Sequence, residues 1–250
     1  MKTESFNLSI TSLTFLVCLA ITGLLSASLP VGADQPETRS DPITVYTESN
    51  PPFSYINQTG EINGSMVLLV QHLADRTQTK YTLDLRDWSS AYENVLSTPN
   101  TAIFPIVQTS NRTPLFKWVG PVDQMEYAFY CRSSEVMNVS SLEDISGAGI
   151  IAVPKETARH HMLKDANITN LLPVSTDAEA IDAVLHGKAD IWLGTRNMYN
   201  DGREAFGADL NQLMLINSWK SVPLYIAFYK DTPDSLIERW QQEFDDLNRV

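Results

Sequence analysis

The chain has 250 residues, 43% of them hydrophobic, with 30 acidic side chains against 18 basic ones and a formal net charge of −12. That balance argues against nucleic acid or an anionic lipid surface as a partner, because both require clustered Lys and Arg. Aromatic residues, 9% of the total and spread along the chain, exclude a disordered or fibrous protein and are consistent with one large domain or two lobes of about 100 residues each.

Residues 1–33 read as a leader outside that core. Lys2 gives a thin basic start, Leu13 to Leu25 is an apolar run, and Val31-Gly32-Ala33 is a small-residue exit for a signal peptidase, with mature start at Asp34. The run is about 13 residues, short of the ~20 that span a bilayer. A signal anchor is the competing reading. Cys18 follows Phe15-Leu16-Val17 and so lacks the small neighbour of a lipid-anchoring box. Residues 34–42, acidic and proline-containing, read as a linker. Beyond the leader Cys131 is the only cysteine, so no intramolecular disulfide forms; Tyr127, Phe129 and Tyr130 beside it suggest an interior strand. The expected product is periplasmic or extracellular.

Strand and helix signals then alternate. Ile43 to Thr47 alternates like a strand and Asn50-Pro51-Pro52 ends it. Met66, Leu69, Val70 and Leu73 mark one face of a helix. Tyr81 to Leu85 is the next strand, Ser90 with Glu93 suggests a capping box opening a short helix, and Ala102 to Val107 is a strand buried on both faces. A second unit follows, with a turn at Ser141 to Asp144, a strand from Gly149 to Val153 and a helix from Thr157 to Leu163. Thr176 and Glu179 cap another helix that Gly187 ends, and Ala189 to Leu193 is a further strand. Leu224 to Tyr229 is the last strand, and Thr232-Pro233 opens a helix with Leu236, Trp240, Phe244 and Leu247 on one face. The fold class is α/β, with mostly parallel sheets flanked by helices.

Thr47-Glu48-Ser49-Asn50-Pro51-Pro52-Phe53-Ser54-Tyr55, followed by Gly60, Gly64 and an amphipathic helix, resembles the start of family 3 extracellular solute-binding proteins. The resemblance continues through Asp87-Trp88, Thr109-Ser110-Asn111-Arg112, Phe116-Lys117-Trp118-Val119-Gly120-Pro121, Ser141-Leu142-Glu143-Asp144-Ile145 and Gly187-Lys188-Ala189-Asp190, from about Ile43 to the C-terminus. Each motif is weak alone; together, in order, they are specific. The resemblance implies the two-lobe periplasmic-binding-protein type II fold, with lobe one at 43–131 plus 223–250 and lobe two at 132–222. It also implies a monomer that captures a small molecule by hinge closure for an ABC permease or a membrane sensor, without a cofactor.

It further implies roles for residues. Arg112 aligns with an arginine that clamps a ligand carboxylate, suited by its planar fork of donors. Trp88 and Asn50 align with positions flanking the ligand side chain, and Phe53 and Tyr55 lie near that wall; Trp88 is equally a candidate core anchor. Thr157 aligns with a hydroxyl that helps hold the carboxylate at a helix start, or it simply caps the helix. Two positions depart from the family pattern. Thr195 stands where an acid usually holds the ligand ammonium, and Pro105 and Val107 replace small polar residues before the arginine. Either Glu48 or Asp87 substitutes, or the ligand has no α-amino group. The preferred expectation is a small carboxylate or other anionic metabolite, with Arg112 as clamp.

Enzyme signals are thin. Glu156 and His160, four apart with His161 beside them, lack a third metal ligand, and a helix surface explains them. The rival class is a lyase on the same fold, with Glu48, Glu126 or Glu156 as general acid.

Overall fold

The computed structural model describes residues 41–135, 137, 139, 141–201 and 210–249. The leader and all but the last two residues of the linker lie outside the described residues. β1 (Ile43–Thr47) leads through a small ribbon, β2 (Tyr55–Ile56) and β3 (Ile62–Asn63), into α1 (Ser65–Arg76). β4 (Tyr81–Leu85), α2 (Trp88–Ser97) and β5 (Thr101–Val107) follow, and β6 (Phe116–Arg132) crosses to a second half. That half holds α3 (Leu142–Gly147), β7 (Ile151–Pro154), α4 (Ala158–Asp165), β8 (Leu171–Val174), α5 (Asp177–Leu185), β9 (Ile191–Thr195) and α6 (Arg196–Asp201). β10 (Leu213–Tyr229) returns and α7 (Asp234–Leu247) ends the described chain.

The strands lie in the order β4-β1-β5-β10-β6-β9-β7-β8. Each half has three parallel strands, β4-β1-β5 and β9-β7-β8, and each is finished by an antiparallel neighbour. Those neighbours are the two 17-residue strands β6 and β10, paired with each other almost end to end. β10 joins β5 from Leu224 to Phe228, while β6 joins β9 from Tyr127 to Cys131. The expected lobe boundaries, at 131/132 and 222/223, thus fall at the end of β6 and within β10. Two long paired strands are the covalent link between the halves.

Local chemistry sets several elements. All seven residues of β5 are buried, as a strand covered on both faces requires. α1 buries Met66, Val67, Val70, Leu73 and Ala74, one stripe at helical spacing. Gly64 opens α1 at φ 134, and a Cβ there would lie 2.3 Å from the Phe53 carbonyl oxygen, so only glycine fits. The same carbonyl accepts the Met66 N–H at 3.1 Å, which fixes the Asn50–Ser54 turn on the helix start. α7 docks on the first half: Trp240 meets the Phe228 ring edge-on at 5.1 Å and donates Nε1–H to Thr79 Oγ1 at 3.0 Å.

The structure corrects several sequence expectations. α2 is capped by Asp87, which accepts the Ser90 N–H at 2.9 Å, so Ser90 lies in the first turn and does not cap it. Ser141 and Asp144 form a reciprocal capping box on α3 where a turn was expected. β8, α6, the β2–β3 ribbon and most of β6 and β10 were not predicted.

Candidate functional site

A small cavity of about 30 Å³ lies between the halves. Glu48, Asn50, Trp88, Val107 and Arg112 line it from the first half, Tyr127 from β6, and Thr157, Arg159 and Met198 from the second. Two larger recesses share its walls. One of about 300 Å³ has Glu48, Asp87 and Trp88 facing Thr176 and Asp177; the other, of about 550 Å³, has Tyr92 and Arg112 facing Glu156 and His161.

One backbone carbonyl joins the halves across the cavity. Trp88 Nε1 donates to the Glu156 backbone oxygen at 3.0 Å and Arg112 Nη2 donates to the same oxygen at 3.1 Å. Glu156 sits at φ 60, a left-handed conformation uncommon for a side-chain-bearing residue. Its N–H donates to His160 Nδ1 at 3.2 Å, and its carboxylate pairs with His161 Nε2 at 3.3 Å. Arg112 is 5% exposed and also donates Nη1–H to the Val107 carbonyl at 3.3 Å. Its guanidinium lies over the rings of Trp88 and Tyr92, 4.9 and 5.1 Å from their centroids. Burial pulls its pKa below the ordinary arginine value.

Beneath the cavity lies an ion pair that sequence reading missed. Arg159 makes two parallel bonds to Asp177, at 2.9 and 2.6 Å, and a third to the Leu193 carbonyl at 3.0 Å. Asp177 Oδ1 also accepts Trp192 Nε1–H at 2.9 Å. Burial opposes the charge on Arg159, and Asp177 outweighs it, leaving the guanidinium pKa raised. Tyr127, wholly buried beside them, has its phenol pushed up to about 12 by burial.

Glu48 and Asn50 are the unpaired groups. Ser54 Oγ donates to the Glu48 carbonyl at 2.8 Å, and Asn50 and Ser54 bridge each other, so the turn after β1 holds both residues at the cavity. The Glu48 carboxyl is directed to no hydrogen-bond or ion-pair partner among the described residues. Burial raises it to about 7, with Asp177 adding to the shift and Arg159 and Arg112 opposing it. Asn50 is 4% exposed, and its Oδ1 is buried without a partner.

No protein-family model matches the chain, and no curated protein sequence gives a significant match. Solved structures do match. A histidine kinase sensor domain with similarity to periplasmic binding proteins superposes at TM-score 0.75 with 20% identity, over 84% of this chain and 92% of that one. An ancestral arginine-binding protein bound to arginine gives 0.73 with 16% identity, over 84% and 93%. The ancestral amino acid-binding protein AncCDT-1, a precursor of cyclohexadienyl dehydratase, gives 0.70 with 16% identity, over 83% and 89%. The fold is the two-lobe, type II periplasmic-binding-protein fold. At these identities the likeness is one of architecture, shared by binding proteins and a sensor domain alike.

Within this binding-protein fold the predicted site residues separate. Arg112, Trp88, Asn50, Val107 and Thr157 all line the interlobe cavity. Val107 acts through its carbonyl, which holds Arg112. Thr157 is occupied as the α4 cap: its hydroxyl donates to the Pro154 carbonyl at 2.7 Å and accepts the His160 N–H at 3.3 Å. Phe53, 1% exposed, belongs to the first-lobe core, and Tyr55 lies on the β2–β3 ribbon; neither lines the cavity. Thr195 is buried at the end of β9 and its Oγ1 accepts the Met198 N–H at 3.0 Å, so Met198 presents itself to the cavity in its place. Of the acids weighed as substitutes, Glu48 lines the cavity and Asp87 the recess beside it. Glu126 lies 3.6 Å from Arg196 and outside the cavity. Among the described residues no three His, Cys, Asp or Glu groups are placed to hold a metal, and no helix is long and apolar enough to cross a membrane.

Proposed function

We propose that the protein is an exported solute receptor of the family 3 extracellular binding class, which captures a small polar metabolite between its lobes and turns over none of it. The observation that carries this reading is the Glu156 carbonyl held by Trp88 and Arg112 of the opposite lobe, over a cavity whose walls come from both lobes. Such a cleft binds a ligand best when closed, and the ligand shifts the population of closed molecules by its differential affinity. Arg112 supplies the acceptor-binding end of the ligand site, and Glu48 with Asn50 supplies the donor-binding end. The closed form is then read by a membrane partner. An ABC permease is the first choice on the sequence resemblance. A membrane sensor is the second, supported by the fold shared with a histidine kinase sensor domain.

The test is a thermal-shift screen of amino acids, organic acids and amines, followed by small-angle scattering with and without any hit. A true ligand raises the melting temperature by mass action, worth about 2.7 kcal/mol at a hundredfold excess over Kd, and compacts the protein. Detection of a product formed from the bound compound would replace the receptor with a lyase.

A further inference from the structure

The cleft contains two acceptors that no donor reaches among the described residues. Glu48 lines both the 30 Å³ cavity and the 300 Å³ recess, and Asn50 Oδ1 is buried unpartnered in the wall of the first. The cations nearby are already engaged. Arg159 is held by both oxygens of Asp177, and Arg86, in the recess, is paired with Asp84. Arg112 directs its Nη groups to two carbonyls. Asp87 adds a further carboxylate at the recess wall, where it caps α2 by accepting the Ser90 N–H. Those carbonyls occupy Arg112 donors without neutralising its charge, and the uncommitted polar groups are acceptors, Glu48, Asn50 Oδ1 and Asp87, which an anionic metabolite would meet unfavourably. A cavity of this volume has room for about two water-sized groups. That suits a ligand's head group, with its body in the recess.

We propose that Glu48 and Asn50 form the subsite for a cationic ligand head, a protonated amine or guanidinium, with Asp87 at its edge and the rest of the ligand against Trp88. This deepens the receptor reading and rests on it. It also reverses the expectation of an anionic ligand, because Glu48 fills from lobe one the role that Thr195 leaves vacant in lobe two.

Proton linkage gives the subsite a signature. The charged groups around Glu48 are Asp177 and Arg159 from lobe two and Arg112 and Asp87 from lobe one. Together with burial they leave its carboxyl half-ionised near pH 7. A bound cation selects the carboxylate, so binding below that pH expels a proton into the buffer. Affinity for a cation then rises about 25-fold from pH 5.5 to 7.5, whereas affinity for an anion falls over the same range.

The experiment uses the purified protein and three probes, L-arginine, putrescine and succinate, in thermal shift and calorimetry at pH 5.5, 6.5 and 7.5. The expected result is binding of at least one of the two cations, tighter as pH rises, with proton release at pH 5.5. E48Q should lose tenfold or more in affinity and lose the pH slope, with its circular dichroism unchanged. The wild-type slope tests the inference even where E48Q folds poorly. Cation affinity that is flat with pH, or unchanged in E48Q, overturns it. Binding of succinate without either cation also overturns it while leaving the receptor reading standing, and silence from all three probes counts against both.

Discussion

Arg112 and Glu156 sit on different lobes, yet Nη2 of one lies 3.1 Å from the backbone oxygen of the other. That carbonyl also accepts the Trp88 Nε1–H at 3.0 Å, so two side chains of one lobe hold one backbone oxygen of the other. The contact bridges the two lobes, with the Glu156 backbone as its latch. On the proposed receptor reading, a ligand with its own acceptor competes for these donors, and Arg112 then couples occupancy to lobe position.

The first prediction follows from that coupling. Arg112→Ala should weaken binding of an identified ligand that carries an acceptor group, such as a carboxylate, by about 2–5 kcal/mol, the usual cost of removing one member of a buried charged contact. It should also shift the ligand-free protein toward an open shape, visible as a larger radius of gyration in scattering. Arg112→Lys should recover little, because an ammonium cannot direct donors to Val107 and Glu156 in one plane while resting over Trp88 and Tyr92. Unchanged affinity in Arg112→Ala would remove it from the site.

The latch itself gives the second prediction. Only the backbone of Glu156 crosses the cleft, and that backbone is left-handed. Glu156→Gly should therefore keep ligand binding and change stability from near zero to about +1 kcal/mol, since relief of the φ 60 conformation offsets the entropy of the unfolded glycine. The exposed pair with His161 that it removes is worth little. Glu156→Val, whose branched side chain resists positive φ, should destabilise and loosen closure. Loss of binding in Glu156→Gly would mean that the carboxylate, not the carbonyl, matters.

Much of this architecture was legible in the sequence, for reasons visible in particular residues. β5 reads as buried because Ala102 to Val107 is almost uninterrupted apolar chain, and all of it is buried. β6 and β10 were read only in part, since each crosses from one lobe to the other. Their burial changes along the strand, with exposed residues around Gly120 to Gln124 separating two buried stretches, so no single period runs through. Arg112, Trp88 and Asn50 reached the cavity as the family motif suggested. Thr195 did not, because its hydroxyl is drawn into capping α6. Arg159 carried no local signal: it lies in the polar stretch Ala158-Arg159-His160-His161, and its burial depends on Asp177, eighteen residues away. Pairing at that distance is invisible to periodicity.

That buried pair sets the third prediction. Arg159 is 5% exposed and Asp177 7%, and both are linked further to Leu193 and Trp192. Asp177→Ala leaves a guanidinium without its counter-ion and an indole N–H without its acceptor. Destabilisation of about 3–5 kcal/mol is expected, read as a fall in the urea midpoint with an unchanged slope. Asp177→Asn, which retains an acceptor for Trp192, should cost less than the alanine variant. A loss under 1 kcal/mol in Asp177→Ala would show that water reaches Arg159 freely.

The fourth prediction concerns pH and needs no ligand. Glu48 has its carboxyl raised from 4.5 to about 7 in the folded protein, burial being the chief cause. The folded state therefore binds this proton more tightly than the unfolded chain does. Between about pH 4.5 and 7 the native protein holds the more protons, so this group's contribution makes stability fall as pH rises through that window and level off above it. The full excursion is on the order of 3 kcal/mol, at 1.36 kcal/mol per unit, and water entering the neighbouring recess reduces it. E48Q cannot titrate, so its melting temperature should vary less between pH 5 and 7.5 than the wild type's, and the variant should be the more stable of the two at pH 7.5. All other titrating groups are common to the two proteins, which is why the difference between them, and not either curve alone, isolates Glu48. Parallel curves for wild type and E48Q would mean that its carboxyl is ionised throughout that range, solvated in the cleft.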